Sequence, residues 1–171
     1  IGMVFYDKAE KHDVSSLRLC VTGGSAMPPE FIPLFEQKFG VRILEGYGLT
    51  EASPACSFNR IEFAAKPGSI GSPLNGIEIK IVDEAGRELP TNQIGELIIR
   101  GENVMKGYYK DDAATAAVIR DGWLYTGDLG TVDEDGYIYL TARSKEIIKV
   151  RGKRISPKEI EAVILALPEV I

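Results

Sequence analysis

The pattern of apolar and polar positions divides the chain into three stretches. In the first, short apolar runs at residues 17–21 and 41–44 flank a segment whose phenylalanines recur at helical spacing, which predicts a strand, a helix and a second strand. Pro28 suits the first turn of this helix and Gly40 suits its end, whereas Pro33 would kink it because proline has no backbone N–H. A β-α-β unit implies that its two strands are parallel.

Residues 66–142 have a different sequence pattern, in which glycines and prolines separate short runs of alternating or apolar residues. The runs at 77–82, 95–101 and 137–140 predict strands, and the alanine-rich residues 113–119 predict a short helix. Because short strands with frequent turns are typical of antiparallel architectures, we expect a small antiparallel sheet or barrel here.

The last stretch predicts a short strand at 147–150, a basic turn at 151–154 and then a helix. Ser156 suits the cap of this helix and Pro157 suits its first position. The helix has one apolar stripe, formed by Ile160, Val163, Ile164 and Leu167. Such a stripe needs a partner, so we expect the rest of this unit to lie beyond Ile171. Because the chain also starts without Met, we expect it to be a piece of a longer protein.

Composition and a few single residues narrow the classes of function. Apolar content of 44% and charged content of 26% are ordinary for a globular protein. No apolar run approaches the roughly 18 residues of a membrane span. The single histidine, His12, lies in a polar run and is expected at the surface. The two cysteines, Cys20 and Cys56, fit neither a metal spacing nor a disulfide framework, which excludes a Cys/His metal site and favours a reducing, cytoplasmic compartment.

Charge is spread unevenly along the chain. Residues 143–158 carry seven basic side chains and one acidic side chain, whereas the whole chain has a net charge of −5. A basic segment on an acidic body indicates an anionic partner, such as a nucleic acid or the phosphates of a nucleotide. A solvated basic loop is the alternative. The segment lacks the interleaved aromatic residues that stack single-stranded bases, so we expect no nucleic-acid partner.

Residues 46–51 carry the candidate chemistry, because they combine two glycines with a ring, a hydroxyl and a carboxylate. The glycines let the backbone turn sharply and approach a ligand, and the Tyr47 ring suits a flat heterocycle. Thr50 can bond a phosphate oxygen, and Glu51 offers the oxygen ligand that Mg²⁺ prefers. Residues 22–25 follow the preceding strand, and in a parallel sheet both loops would face one ligand. A glycine-rich turn with a surface tyrosine is the alternative.

The order of these motifs resembles that of the adenylate-forming (AMP-binding) enzymes, which comprise acyl- and aryl-CoA synthetases, peptide-synthetase adenylation domains and luciferases. The resemblance extends from about residue 17 to residue 161 and is greatest to the fatty acyl-CoA synthetases. The motifs that carry it are Thr22-Gly23-Gly24-Ser25, Gly46-Tyr47-Gly48-Leu49-Thr50-Glu51, Gly95-Glu96-Leu97 with Gly107-Tyr108-Tyr109, Tyr125-Thr126-Gly127-Asp128, and residues 143–161.

The resemblance implies both a fold and a reaction. The fold is α/β: the end of a parallel β-α-β subdomain at 1–65, a β-rich, barrel-like subdomain at 66–142, and the hinge and start of a small α+β C-terminal lid at 143–171. In the reaction, a carboxylate attacks the α-phosphate of Mg-ATP, pyrophosphate leaves, and coenzyme A then displaces AMP from the acyl-adenylate. ATP or AMP, Mg²⁺, coenzyme A and a medium- or long-chain fatty acid are therefore the implied ligands.

The resemblance also implies residues at the adenine base. Gly23, Gly24 and Ser25 resemble the backbone wall on one face of the base, and Tyr47 would cover the other face. Gly46 belongs to the same nucleotide-binding motif as Tyr47.

At the phosphates and ribose, Thr50 would bond a phosphate and Glu51 would hold Mg²⁺. Asp128 would accept both ribose hydroxyls with its two oxygens, whereas its spacing alone favours a turn residue. Arg143 resembles the arginine that contacts ribose or phosphate, for which its fixed donors are suited. Ala142 precedes it where the family often has Gly or Asp.

In the lid, Lys145 matches the hinge about which the lid rotates between the two half-reactions. Lys149 and Arg154 would face the active site in one lid position, and Gly152 would line the pantetheine channel in the other. Gly48 resembles a position that lines the acyl pocket, where glycine leaves room for a longer acid. On this interpretation, Gly48→Trp is expected to favour shorter acids.

Two family features lie outside the sequence: a phosphate loop expected before residue 1 and a lysine of the lid expected after residue 171. We therefore expect the isolated chain to be inactive. The alternatives are an adenylation domain that loads a carrier protein, and a nucleotide-binding pseudoenzyme. The expected partners are a small carboxylic acid and coenzyme A. The oligomeric state, and a peripheral membrane contact through segments outside the chain, are left open.

Overall fold

The computed structural model describes residues 2–25, 27–28, 30–63, 65–144, 146–150, 153–155, 157–165 and 167. The helices are α1 (Phe31–Phe39), α2 (Asp112–Val118) and α3 (Pro157–Leu165). The strands are β1 (Cys20–Thr22), β2 (Ile43–Gly48), β3 (Ala55–Phe58), β4 (Ser72–Pro73), β5 (Ile77–Val82), β6 (Gly95–Gly101), β7 (Ile119–Arg120), β8 (Trp123–Val132), β9 (Ile138–Arg143), β10 (Ile148–Val150) and β11 (Lys153–Ile155). Single 3₁₀ turns occupy Ala9–Lys11 and Thr50–Ala52.

β1 and β2 pair in parallel with α1 between them along the chain, which confirms the predicted β-α-β unit. β2 runs further than the apolar run predicts, because it continues through Gly46 and Gly48 and pairs there with β3 in antiparallel fashion. The prediction of a sharp turn at these glycines is wrong. Glycine is required instead by close packing, since a Cβ at Gly46 would lie 2.2 Å from the Phe58 ring and one at Gly48 would lie 2.0 Å from the Pro54 carbonyl oxygen.

α1 begins at Phe31, after Pro28 rather than at it, and this shift removes the conflict at Pro33. Pro33 falls within the first turn, where backbone N–H groups have no partner inside the helix. Gly40 ends the helix in the left-handed conformation, with φ of 66°, and its N–H donates to the carbonyl of Glu36 at 2.8 Å. The predicted helix end is therefore confirmed.

β5, β6, β8 and β7 form an antiparallel sheet in that order, and β9 pairs with β8, which confirms the predicted antiparallel sheet. The sheet curls into a half-barrel, and the fold as a whole is mixed α/β. Its core is continuous with the β2–β3 region and consists of Ala52, Cys56, Ile81, Leu97, Ile99, Leu124 and Ile138. β4 pairs with β3, so residues on both sides of the predicted boundary at 65/66 share one sheet. That boundary stays a prediction.

β10 and β11 form an antiparallel hairpin in which Lys149 lies opposite Arg154. Lys153 and Arg154, the last two residues of the segment predicted as a basic turn, thus lie in β11, which pairs with β10. α3 follows, and its apolar stripe is exposed, with fractions from 40% at Ile160 to 70% at Val163. Ser156, the predicted cap, lies outside the described residues. In the described part of the chain, every helix is too short or too polar to cross a bilayer.

Candidate functional site

A cavity of about 370 Å³ lies where the C-terminal ends of β1 and β2 meet β8 and β9. Its wall includes seven of the residues that the sequence singles out, namely Gly24, Ser25, Gly46, Tyr47, Gly48, Asp128 and Arg143. The two glycine-containing segments therefore share one cavity, as the parallel strands predict. Gly23 lies close behind the wall, since a Cβ there would be 3.1 Å from the carbonyl oxygen of Gly46.

Tyr47, Asp128 and Arg143 form a hydrogen-bonded cluster in this cavity. The Tyr47 hydroxyl donates to Oδ2 of Asp128 at 2.5 Å, and Nε of Arg143 lies 3.0 Å from Oδ1 of the same carboxylate. The Asp128 carboxylate is buried, whereas the Arg143 side chain is two-thirds exposed, at 66%. An ionised carboxylate offers about four acceptor positions, so Asp128 can still accept hydroxyl donors from a ligand.

The electrostatics of the cluster keep the tyrosine protonated. Burial raises the pKa of Tyr47, and its hydrogen bond to the Asp128 carboxylate raises that pKa further. Tyr47 is therefore a neutral donor at physiological pH. The hydroxyl contact ties the Tyr47 side chain to β8, and Tyr47 lines the cavity.

Glu45 is a cavity residue that the sequence reasoning missed. Only 9% of Glu45 is exposed, and its Oε2 accepts the backbone N–H of Gly68 at 2.8 Å. Burial raises the pKa of Glu45, and the bond from Gly68 partly opposes this. A carboxylate in this wall suits a ligand with an amino or hydroxyl donor. In the sequence, Glu45 is a charged residue that directly follows the run 41–44, and this position alone does not indicate burial.

Gly48 lines the cavity, but its surroundings give a structural reason for glycine there. The β2–β3 register shifts between Tyr47 and Gly48, and the Pro54 carbonyl occupies the space of a side chain. A bulky residue at Gly48 would displace backbone rather than simply fill a pocket. The assignment of Gly48 to an acyl pocket stays a prediction.

Thr50 and Glu51 lie just beyond the cavity wall, in the 3₁₀ turn that follows β2. The backbone N–H of Met105 donates to the Glu51 carbonyl at 2.7 Å, and the Tyr108 hydroxyl donates to Glu51 Oε1 at 2.8 Å. Asn103 donates to the carbonyl of Ala52 at 2.9 Å. The segment between β6 and α2 therefore fixes the turn that carries the Glu51 carboxylate.

Glu51 supplies one carboxylate of the kind that can bind a magnesium ion arriving with a nucleotide. Mg²⁺ typically takes one or two carboxylates plus substrate phosphates and water. Among the described residues, no group of three or more His, Cys, Asp or Glu side chains is placed to hold a metal. The single Glu51 carboxylate, held by the Tyr108 hydroxyl, matches the arrangement in which one carboxylate and the substrate phosphates share the ion.

The predicted lid residues are only partly described. Lys145 and Gly152 lie outside the described residues, and Lys149 and Arg154 are described as backbone in the β10–β11 hairpin. Their predicted roles stay predictions. Glu146, next to the predicted hinge, lines the cavity.

A second, larger cavity of about 810 Å³ lies between the β5–β6 connection and the end of β9. Its lining includes Leu89, Ile94, Glu96 and Ser144, and none of the residues that the sequence singled out for a ligand. The size of a cavity therefore does not identify the candidate site in this chain, whereas the convergence of polar groups does.

The sequence matches the family described as AMP-binding enzyme over residues 3–109. It is 43% identical over 162 residues to a long-chain-fatty-acid–CoA ligase of Bacillus subtilis, covering 94% of this chain and 29% of that protein. It is 41% identical over 167 residues to 4-coumarate–CoA ligase 1 of Glycine max, covering 94% of this chain and 57% of that protein.

Two solved structures also resemble this chain. The anthranilate CoA ligase AuaEII in complex with anthranoyl-AMP superposes with a TM-score of 0.87 at 34% identity, over 98% of this chain and 32% of that chain. ATP-bound MatB from Rhodopseudomonas palustris superposes with a TM-score of 0.87 at 33% identity, over 99% of this chain and 35% of that chain. The chain spans less than two thirds of the length of each of these proteins.

Proposed function

Because the chain belongs to the AMP-binding enzyme family, we propose that it forms the nucleotide-binding part of an acid–CoA ligase that activates its acid as an acyl-adenylate. The observation that carries this proposal is the cluster of Tyr47, Asp128 and Arg143 in a cavity bounded by two glycine-containing segments. The cluster offers a flat ring, a carboxylate with spare acceptor positions and a cation, which suit a base, a ribose and a phosphate respectively.

The bound nucleotide would contact these groups in order. Adenine lies between the Tyr47 ring and the segment of Gly23, Gly24 and Ser25. The ribose hydroxyls donate to Asp128, whose two oxygens face two vicinal hydroxyls. Arg143 then lies within reach of ribose or phosphate.

The first half-reaction needs positioning and charge stabilisation rather than a protein nucleophile. The carboxylate of the acid forms a bond to the α-phosphorus of ATP, and the bond to pyrophosphate breaks. Thr50 would bond a phosphate oxygen, and Glu51 would hold Mg²⁺, which would supply charge neutralisation at the phosphates. The Tyr108 hydroxyl keeps the Glu51 carboxylate in place through its bond to Oε1.

The second half-reaction transfers the acyl group to the thiol of coenzyme A, with AMP as the leaving group. In this proposal, Lys145 is the hinge of the lid, Lys149 and Arg154 serve one lid position, and Gly152 lines the path of the thiol in the other. The basic residues of 143–158 would meet the phosphates of coenzyme A. The enzyme would act in the cytoplasm.

We propose a medium- or long-chain fatty acid as the substrate, with an aryl acid of the 4-coumarate type as the second candidate. A long-chain-fatty-acid–CoA ligase at 43% identity supports the first, and a 4-coumarate–CoA ligase at 41% identity supports the second. Gly48 remains the residue that we propose for the acyl pocket.

The test uses the complete reading frame that contains this chain, with Mg-ATP, coenzyme A and single acids from acetate to palmitate plus 4-coumarate. Acyl-CoA is detected by mass. Thioester formation that peaks at the longer fatty acids is the expected result, and a peak at 4-coumarate would replace the fatty acid with the aryl acid. Pyrophosphate release without acyl-CoA would instead support a carrier-protein acceptor. Nucleotide binding with no turnover of any acid would support a pseudoenzyme.

A further inference from the structure

β8 does not pair evenly with β6 beside the nucleotide cavity. Glu96 lies opposite Leu129, but Ile98 lies opposite Tyr125, so the three residues 126–128 of β8 face the single residue Leu97 of β6. A bulge of this kind bends its strand and re-aims the side chains that it carries. The last residue of the bulge is Asp128, whose carboxylate is thereby directed into the cavity.

Four hydrogen bonds fix the shape of the bulge. The Thr126 hydroxyl donates to the Leu97 carbonyl at 2.7 Å and accepts the N–H of Asp128 at 3.0 Å. The N–H of Gly127 donates to Oε1 of Glu96 at 3.0 Å, and the carbonyl of Gly127 accepts the N–H of Ser144 at 2.8 Å. Gly127 has φ of 73°, in the left-handed region that favours glycine.

Glu96 lies outside the bulge, and its side chain holds the Thr126–Gly127 peptide. Its Oε1 accepts the backbone N–H of Gly127, the residue directly before Asp128. The N–H of Gly127 belongs to the Thr126–Gly127 peptide, so a rotation of that peptide would change the backbone angles at Gly127 and, through them, the direction of the next side chain, that of Asp128. Ser144 holds the Gly127 carbonyl through a backbone N–H, so of the two contacts at Gly127 only that of Glu96 can be removed by changing a side chain.

We propose that Glu96 is a positioning residue that holds the Asp128 carboxylate in place for the two ribose hydroxyls of the nucleotide. This inference rests on the proposed function, since it takes the ribose as the ligand of Asp128. Glu96 itself acts through Gly127 and does not need to touch the nucleotide. The requirement on Glu96 is therefore its length and an acceptor oxygen, not its charge.

The test compares two substitutions that separate length from charge, in the complete protein. Glu96→Asp keeps the charge but withdraws the carboxylate from Gly127, whereas Glu96→Gln loses the charge but keeps an acceptor oxygen at the same reach. Glu78→Asp is the matched control, because Glu78 lies on β5 and pairs with Arg100, 2.9 Å away, on the exposed part of the sheet. Dissociation constants are measured for ATP and for 2′,3′-dideoxy-ATP, which lacks both hydroxyls.

We expect the wild type and the Glu78→Asp control to bind ATP at least about tenfold more tightly than the dideoxy analogue, because hydrogen bonds to a charged acceptor are the stronger class. Glu96→Gln should keep this preference, and Glu96→Asp should reduce it to about threefold or less by weakening ATP binding alone.

Equal weakening of both nucleotides by Glu96→Asp would make Glu96 a general structural residue and overturn the inference. An undiminished preference in Glu96→Asp would overturn it as well. If the wild type itself binds both nucleotides equally, the ribose contact of Asp128 fails, and with it that part of the proposed function. The first two results leave the ribose contact standing, so the two failures are distinguishable.

Discussion

The hydroxyl of Tyr47 donates a hydrogen bond to Oδ2 of Asp128 over a sequence separation of 81 residues. This bond connects β2, which belongs to the β-α-β unit, with β8 of the half-barrel sheet. Tyr47, which we propose faces the adenine, therefore orients Asp128, which we propose faces the ribose. Because the bond links the aromatic side chain to the carboxylate, we expect a substitution at either residue to disturb the position of the other.

Tyr47→Phe should weaken ATP binding although it keeps the ring. The change removes a donor from the buried Asp128 carboxylate, and the loss of one partner of such a bond typically costs about 1–3 kcal/mol. We expect an increase of roughly tenfold in the dissociation constant for ATP, measured by calorimetry on the complete protein. An unchanged constant would mean that only the ring contributes to binding at this position.

Tyr108→Phe should raise the concentration of Mg²⁺ needed for ATP binding. The hydroxyl of Tyr108 donates to Glu51 Oε1, and without it the carboxylate is free to leave the position proposed for the metal. We expect the Mg²⁺ concentration at half-maximal ATP binding to rise about threefold to tenfold, which corresponds to the roughly 0.5–1.5 kcal/mol that a typical intramolecular hydrogen bond contributes. Tyr109→Phe is the matched control, because Tyr109 is 88% exposed. If both variants shift the Mg²⁺ requirement equally, the contact with Glu51 is not responsible.

Gly48→Ala should destabilise the fold before it affects the choice of acid. A Cβ at Gly48 would lie 2.0 Å from the carbonyl oxygen of Pro54, so backbone must move to accept even one methyl group. Overpacking of this kind lowers the free energy of unfolding by about 1–3 kcal/mol, which thermal unfolding of the complete protein would detect. Unchanged thermal stability together with a shift toward shorter acids would favour the pocket interpretation of Gly48 instead.

Glu45 should make stability depend on pH in a defined direction. Burial raises the pKa of Glu45 above its ordinary value of 4.5 in the folded chain, so the folded state holds this proton more tightly than the unfolded state does. The stabilising effect of that proton is fully present below pH 4.5 and is lost as the pH rises through the raised folded value.

Glu45→Gln provides the measurement, because glutamine keeps an acceptor for the N–H of Gly68 but does not titrate. The free energy of unfolding of the wild type, relative to that of the variant, should fall as the pH rises from 4.5 to neutrality. Urea unfolding at several pH values checks this. A relative stability that instead increases with pH would show that the pKa of Glu45 is lowered in the folded chain.

Local signals predicted much of the fold. Gly40 predicted the end of α1, because glycine readily adopts the left-handed conformation that ends a helix. The alanine-rich residues 113–119 predicted α2, whose first turn Asp111 caps by accepting the N–H of Ala114 at 2.9 Å. Alternating residues at 77–82 predicted β5 within its observed bounds. Each of these features depends on residues close together in sequence.

Contacts between distant residues limited what could be predicted. The glycines of 46–48 have the composition of a turn, but close packing against Phe58 and Pro54 makes them part of a strand. Motifs gave the identity of Tyr47 and Asp128, but not their hydrogen bond, since no local rule relates residues so far apart. Glu45 was missed because a charge next to an apolar run gives no sign of whether it is buried.

The most direct test of the proposed chemistry follows one oxygen atom. The complete protein is incubated with Mg-ATP, coenzyme A and whichever acid yields most thioester, with both carboxylate oxygens as ¹⁸O, and the mass of the nucleotide product is determined. If the carboxylate attacks the α-phosphorus and the thiol later displaces AMP, one heavy oxygen must remain on the phosphate of AMP. We predict AMP that carries one ¹⁸O. Unlabelled AMP, or ADP with the label in inorganic phosphate, would contradict the adenylate mechanism.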